Sequence, residues 1–137
     1  MNIKYCVNKE ISPEQFICLL KETTLAARRP IDDPVCIEGM LRNADLTISA
    51  WRGDKLTGVA RSITDFHYCC YLSDLAVSKQ SQSQGIGRAL IQQTFAQLEK
   101  GCSLILLSAP QAVEYYPHIG FEKHESAWTL PDSSELK

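Results

Sequence analysis

Leu72-Ser73-Asp74-Leu75-Ala76-Val77-Ser78-Lys79-Gln80-Ser81-Gln82-Ser83-Gln84-Gly85-Ile86-Gly87-Arg88-Ala89-Leu90 passes from an apolar strand pattern through a polar loop into two glycines that open a helix. The first turn of a helix carries unpaired N–H groups and a partial positive charge, which together suit a phosphate. Glycine lets the backbone come close to such a group without a Cβ in the way. The plainer alternative is that Gly85 and Gly87 only permit a tight turn and close helix packing. Two other phosphate-binding loops fit poorly. A P-loop needs Gly-Lys-Ser/Thr, which is absent, and a dinucleotide fingerprint wants a third small residue where Leu90 stands. That fingerprint also turns tightly from strand to helix, whereas seven residues separate Val77 from Gly85 here.

Beyond the glycines, Gly87, Leu90, Ile91, Thr94 and Leu98 share one helical face, and Arg88, Gln92, Glu99 and Lys100 lie elsewhere. Residues 103–108 (Ser-Leu-Ile-Leu-Leu-Ser) form an apolar run too short for a helix, as expected of a strand buried on both faces. Strand, helix, strand implies a parallel crossover. Residues 111–116 suit one or two helical turns before Pro117, a further strand is expected from Gly120-Phe121, and residues 127–130 give a weaker one.

Working back from the loop, residues 68–77 are a strand candidate. Residues 46–51 and 56–63 pair as a hairpin across Arg52-Gly53-Asp54-Lys55. Asp33-Pro34 caps a short helix carrying Ile37, Met40 and Leu41. Ser12-Pro13-Glu14-Gln15 starts an earlier helix, with Ser12 as N-cap and Gln15 closing a capping box, and this helix is expected to run to about Thr24. Residues 1–7 alternate like a half-buried strand.

The 137 residues suit one domain, which can bury about two thirds of its unfolded surface. The apolar share of 45% and charged share of 22% are those of a soluble globular chain. No stretch approaches the roughly 20 apolar residues of a membrane span, and the N-terminus has no apolar run of signal-peptide length. A cytoplasmic protein with no membrane partner is expected. A net charge of −2 with scattered Lys and Arg argues against nucleic acid. Cys6, Cys18, Cys36, Cys69, Cys70 and Cys102 fit no zinc spacing and are expected to be reduced core residues. No histidine has metal-site spacing, so no metal is expected.

Gln82-Ser83-Gln84-Gly85-Ile86-Gly87 resembles the Gln/Arg-x-x-Gly-x-Gly/Ala signature of the GNAT superfamily of N-acetyltransferases. A second landmark, Ala112-Val113-Glu114-Tyr115-Tyr116-Pro117-His118-Ile119-Gly120-Phe121, is similar to that family's small helix carrying an aromatic-Tyr pair followed by Gly-Phe. The resemblance covers residues 72–121, and the order of the earlier elements agrees with it. It implies a single α/β (α+β mixed) domain over residues 1–137, with a central, mostly antiparallel sheet, a parallel crossover at the CoA-binding loop and flanking helices. It further implies an acetyl-CoA-dependent N-acetyltransferase working by direct transfer in a ternary complex. The acceptor would be a small amine, an amino acid or a peptide amine. By resemblance Gln82, Gln84, Gly85, Gly87 and Arg88 surround the CoA pyrophosphate, and Leu75, Ala76 and Val77 pair with the pantetheine arm. Where the family often has Asn, seven residues before its Tyr, this chain has Ala109.

Amine acetylation needs a neutral amine, a stabilised oxyanion and a proton donor for the departing thiolate. Tyr116 is the donor candidate, Tyr115 the packing partner, and a backbone N–H near Ala76 the candidate for polarising the acetyl carbonyl. Asp74, Asp65 and Glu114 are all open as the base, with Asp74 the obvious carboxylate on the cofactor strand. The resemblance points to Arg28, Arg29, Asp32 and Asp33 and residues 123–128 as acceptor-site candidates, and Tyr68, Tyr71 and Trp128 are candidates for an apolar acceptor pocket, with core packing the alternative. An arginine there could pair with a substrate carboxylate. The competing expectations are a non-catalytic CoA-binding sensor and a different nucleotide-binding enzyme; the resemblance also leaves room for a homodimer.

Overall fold

One five-stranded sheet in sequential order organises the chain, seen in a computed structural model that describes residues 2–137. Met1, the first residue of the expected N-terminal strand, lies outside them. The strands are β1 (Lys4–Val7), β2 (Leu46–Arg52), β3 (Lys55–Thr64), β4 (Cys69–Val77) and β5 (Ser103–Ile105). Neighbours pair antiparallel except β4 and β5, which are parallel. The connection between these two runs through α3 (Ile86–Ala96), the crossover that a parallel pair requires.

Side-chain alternation along the strands divides the core between the two faces. On one, Trp51, Leu56, Val59 and Ala76 meet Phe16, Leu19 and Leu20 of α1 (Pro13–Lys21) and Ile37 of α2 (Pro34–Asn43). On the other, Leu46, Ile48, Ala50, Ala60 and Leu72 meet Ile86, Leu90 and Ile91 of α3. Each buried Val, Leu, Ile or Phe among them stabilises the fold by about 1.5–3 kcal/mol relative to exposure. α1 begins at the expected capping box: Ser12 Oγ accepts from the Gln15 amide at 3.1 Å, and Gln15 Oε1 accepts from the Ser12 amide at 3.0 Å. It ends at Lys21, short of the expected Thr24, where a 3₁₀ turn (Thr24–Arg28) takes over under a Thr23 cap. α2 starts as expected on Asp33, whose carboxylate accepts from the Cys36 amide at 3.1 Å.

The C-terminal part departs from expectation. β5 has only three residues, and Ile105 and Leu107 are 54% and 49% exposed, so residues 103–108 are not a strand buried on both faces. No strand forms at Gly120-Phe121 or at residues 127–130. Phe121 gives its amide back to the Tyr116 carbonyl at 2.9 Å, closing the short helix α4 (Tyr115–His118) on itself instead of joining a ladder. Without that strand, the outer edge of β5 has no neighbour in the sheet. The cysteines also divide. Cys70 and Cys102 are buried as expected, but Cys69 at the start of β4 is exposed, and so are Cys18 and Cys36, because the residues buried on α1 and α2 are Phe16, Leu19, Leu20 and Ile37. All six are free thiols.

Candidate active site

β4 and β5 pair only through Cys69, Cys70 and Tyr71 with Ser103, Leu104 and Ile105. From Leu72 to Val77, β4 is held by β3 on one side and has no strand on the other. Ser73 is the extra residue of a β-bulge: Arg61 faces Asp74 while Ser62 faces Leu72, and Ser73 is skipped. The Ser78 amide donates to the Thr57 carbonyl at 2.8 Å, so by ladder alternation Ala76 turns its peptide groups toward β3. Leu75 and Val77 turn theirs toward the open edge. The amides free to meet a ligand are therefore those flanking Ala76, not its own.

At the end of that edge stands the N-terminus of α3. Gly85 occupies the N-cap in a left-handed conformation at φ 79°, and no side chain caps the helix. A non-glycine residue is strained at this φ. The first amide known to close a helical turn is that of Ala89, which donates to the Gly85 carbonyl at 3.0 Å. α1 and α2 cap their first turns with Ser12 and Asp33, but the first turn of α3 has no side-chain cap and no acidic residue. Such an end suits a phosphate.

The other loop residues assigned to the cofactor have separate tasks. Gln82 donates from Nε2 to the Val77 carbonyl at 3.1 Å, tying the loop to the end of β4. Gln84 accepts from Arg52 at 3.2 Å, anchoring the loop to β2. Gly87 is where Tyr115 comes closest: a Cβ built there would lie 2.8 Å from the Tyr115 hydroxyl and 3.7 Å from its ring. Its lack of a side chain thus serves the contact between α3 and α4 directly. Arg88 acts electrostatically on Tyr115 and lines a broader groove of about 480 Å³ with Ile91, Phe95, Leu104 and Phe121. That groove lies along the unfinished β5 side and contains neither Tyr116 nor Asp74.

Tyr116 lines a second, smaller cleft of about 60 Å³, room for a handful of heavy atoms, between β4 and residues 106–112. Arg29, Ser73, Leu75 and Leu106 share it. Its ring packs edge-on against Tyr115 at 5.3 Å and against Phe121 at 5.4 Å, which fixes its position on a helix of only four residues. Burial, and secondarily the neighbouring Tyr115, push the Tyr116 hydroxyl above the usual tyrosine range, so it keeps its proton.

Asp74 lies elsewhere than a base should. It is fully buried on the α1–α2 face, with Oδ1 accepting from Arg29 Nε at 2.5 Å and Oδ2 accepting from Arg61 Nε at 2.5 Å. Arg29 also donates to the Ser73 carbonyl at 2.7 Å, and Arg61 to Ser73 Oγ at 3.1 Å. With both oxygens hydrogen-bonded to arginines and no exposed surface, Asp74 positions the two arginines and offers no exposed oxygen to a substrate. Asp65 receives backbone amides of His67, Tyr68 and Cys69, which hold its carboxyl below the usual range and make it a turn former. Glu114 is exposed and precedes α4. Tyr68 and Trp128 are 79% and 91% exposed and line neither cavity.

Arg61 was not among the sequence candidates. Its signal was present, since Arg61 is the lone charge in the strand run Leu56–Ile63 and must find a counter-charge if buried, and Asp74 is the lone acid of the strand beside it. Among the described residues, no group of His, Cys, Asp and Glu is placed to hold a metal, and no helix is long and apolar enough to cross a membrane.

Comparison with known proteins agrees with this geometry. The acetyltransferase (GNAT) domain model matches residues 9–129. An uncharacterised N-acetyltransferase, ycf52, of Gracilaria tenuistipitata var. liui is 30% identical over 97 residues, covering 69% of this chain and 53% of that protein. The chain thus spans about half the length of this relative. Among solved structures, a Staphylococcus aureus protein superposes with a TM-score of 0.76 at 21% identity, covering 94% of this chain and 97% of the other. A GNAT-family acetyltransferase of Streptococcus pneumoniae gives 0.73 at 20% identity, covering 96% and 100%. Such identities speak for the fold alone, but the family model spans nearly the whole chain, and this protein belongs to the GNAT acetyltransferase family.

Proposed function

We propose that the protein is an acetyl-CoA-dependent N-acetyltransferase that passes an acetyl group directly to a bound amine in a ternary complex. One observation carries this most strongly: the open edge of β4 leads straight to the uncapped first turn of α3, with the Tyr116 cleft beside the same strand. An extended pantetheine arm can pair with the outward peptide groups of Leu75 and Val77, as an added strand would. Its pyrophosphate can meet the amides of residues 86–88. Bound acetyl-CoA supplies the activated acyl group.

The chain's own residues supply the rest. An outward β4 amide polarises the acetyl carbonyl while the neutral amine nitrogen bonds to its carbon, Tyr116 gives its proton to the CoA sulfur as the carbon–sulfur bond breaks, and the acylated amine loses its proton to solvent, from which Tyr116 regains one. Solvent takes that role because Asp74 is enclosed by arginines. The reading takes the protein to act in the cytoplasm on a small-molecule or peptide amine, with neither nucleic acid nor membrane as partner. Free-thiol release from acetyl-CoA against a panel of amines tests it. Amine-dependent release is expected; CoA binding with no release from any amine would favour a sensor that keeps the cofactor site without turnover.

A further inference from the structure

The acceptor end of the cleft has an unusual charge balance. Arg29 and Arg61 share the single carboxylate of Asp74, and the three side chains are 19%, 7% and 0% exposed, which leaves one positive charge in excess in a nearly dry site. A buried charge without a partner is costly, and a guanidinium is matched best by a second carboxylate. Arg29 is the charged residue lining the Tyr116 cleft, and no acidic side chain lines it.

Arg29 also has donors to spare. Its Nε serves Asp74, one Nη serves the Arg28 carbonyl at 2.9 Å and the other the Ser73 carbonyl at 2.7 Å. Each Nη carries two hydrogens, so one N–H on each is left over. Asp74 and the Ser73 bulge hold the fork in place, so little side-chain freedom is lost when it binds a ligand. Arg28, from the same turn, reaches across toward the Ser108 carbonyl at 3.5 Å and adds a second positive charge near the opening. The nearby acids are directed elsewhere: Asp33 caps α2, and Asp32 is exposed and outside the cleft lining.

We propose that the acceptor is a small amine that carries its own carboxylate a few bonds away, an amino acid-type substrate, with Arg29 binding the carboxylate while the amine faces the acetyl group beside Tyr116. The assignment rests on the acetyltransferase reading and narrows it. Amines without an anion, such as polyamines or a lysine side chain, would bring a second cation to a site already in positive excess. The small size of the cleft likewise suits a short acceptor.

The test uses the unmodified protein and matched trios of acceptors: an amino acid, its amide, and the amine left when the carboxylate is removed. Thiol release from acetyl-CoA is measured for each, with acetyl-CoA binding followed in parallel by calorimetry. A charge-assisted contact of this kind corresponds to a preference of roughly 10- to 100-fold in kcat/KM for the carboxylate member. Arg29→Lys keeps a charge but loses the fork, and should shrink the preference through KM while acetyl-CoA affinity stays unchanged. Equal turnover of all three members, or faster turnover of the uncarboxylated ones, would overturn the carboxylate assignment and leave the acetyltransferase reading standing. Failure to bind acetyl-CoA would overturn that reading, and the assignment with it.

Discussion

The proposed cofactor site and the proposed acceptor cleft beside it are built from different materials. The cofactor end is backbone: the unpaired edge of β4 and the uncapped turn of α3 offer peptide groups whose placement depends on helix and strand geometry and on the left-handed Gly85. The proposed acceptor end is side chains: Arg29 and Tyr116 line the cleft, and buried Asp74 of β4, itself paired with Arg61 of β3, holds Arg29 in place. Backbone sites tolerate substitution of most side chains around them. A charged cluster fails when one member is removed. The consequences of mutation should therefore be steeper and more structural at the acceptor end.

Removing the central carboxylate gives the largest expected effect. Asp74→Ala leaves two buried guanidiniums without a counter-charge, for which a loss of about 3–5 kcal/mol is typical. A melting temperature lowered by roughly ten degrees or more is expected in a domain of this size. Were Asp74 a solvent-facing base instead, the variant would melt near the parent and lose only activity.

Tyr116→Phe comes next and touches chemistry alone. The ring and its contacts with Tyr115 and Phe121 survive, so acetyl-CoA should bind about equally, while loss of a positioned acid typically lowers turnover by roughly 10²- to 10⁴-fold. Thiolate is already a fair leaving group, which favours the lower end. Turnover at saturating acetyl-CoA, with chemistry rate-limiting, reads the effect, and a drop below about threefold would take Tyr116 out of the mechanism. The pH profile gives a matching sign. Because burial raises the hydroxyl's pKa, the donor persists through the usual tyrosine range near 10, and activity should fall only as pH rises through the raised value. Tyr116→Phe should lack that alkaline limb.

The smallest expected effect joins the two ends. Gly87→Ala puts a Cβ against the Tyr115 hydroxyl, the far end of a flexible side chain, so α4 shifts and CoA affinity falls only several-fold. Tyr115→Phe removes the offending atom and leaves the ring at an ordinary 3.7 Å, so the double variant should regain the lost affinity. Additive losses in a calorimetric double-mutant cycle would instead make Gly87 important for the ligand itself.

What could be read from the sequence follows the same division. The capping box and the Asp33 cap, the hairpin, the amphipathic helix and the glycine turn are local, and each depends on residues a few positions apart. The structure shows Ser12–Gln15, Asp33–Cys36 and Gly85 where spacing places them. The pairing of Arg29 with Asp74 spans 45 positions, and that of Arg61 with Asp74 spans 13, so neither partner is visible in its own neighbourhood. The strands expected at Gly120-Phe121 and residues 127–130 fail for a related reason. Ala127-Trp128-Thr129-Leu130 has strand propensity, but a strand is stabilised by its cross-strand partners, and Phe121 has turned back onto Tyr116. Three residues of β5 offer little ladder to join.

The measurement that tests the central claim most directly is a calorimetric titration of the folded protein with CoA, ATP and NAD in turn, repeated with Gly85→Val. A β-branched residue is strained in the left-handed conformation that Gly85 adopts at the N-cap of α3. The predicted result is saturable binding of CoA but of neither other nucleotide, clearly weakened in a Gly85→Val variant that still folds. No heat with CoA, or binding of ATP or NAD in its place, would contradict the assignment of this edge and helix end to acetyl-CoA.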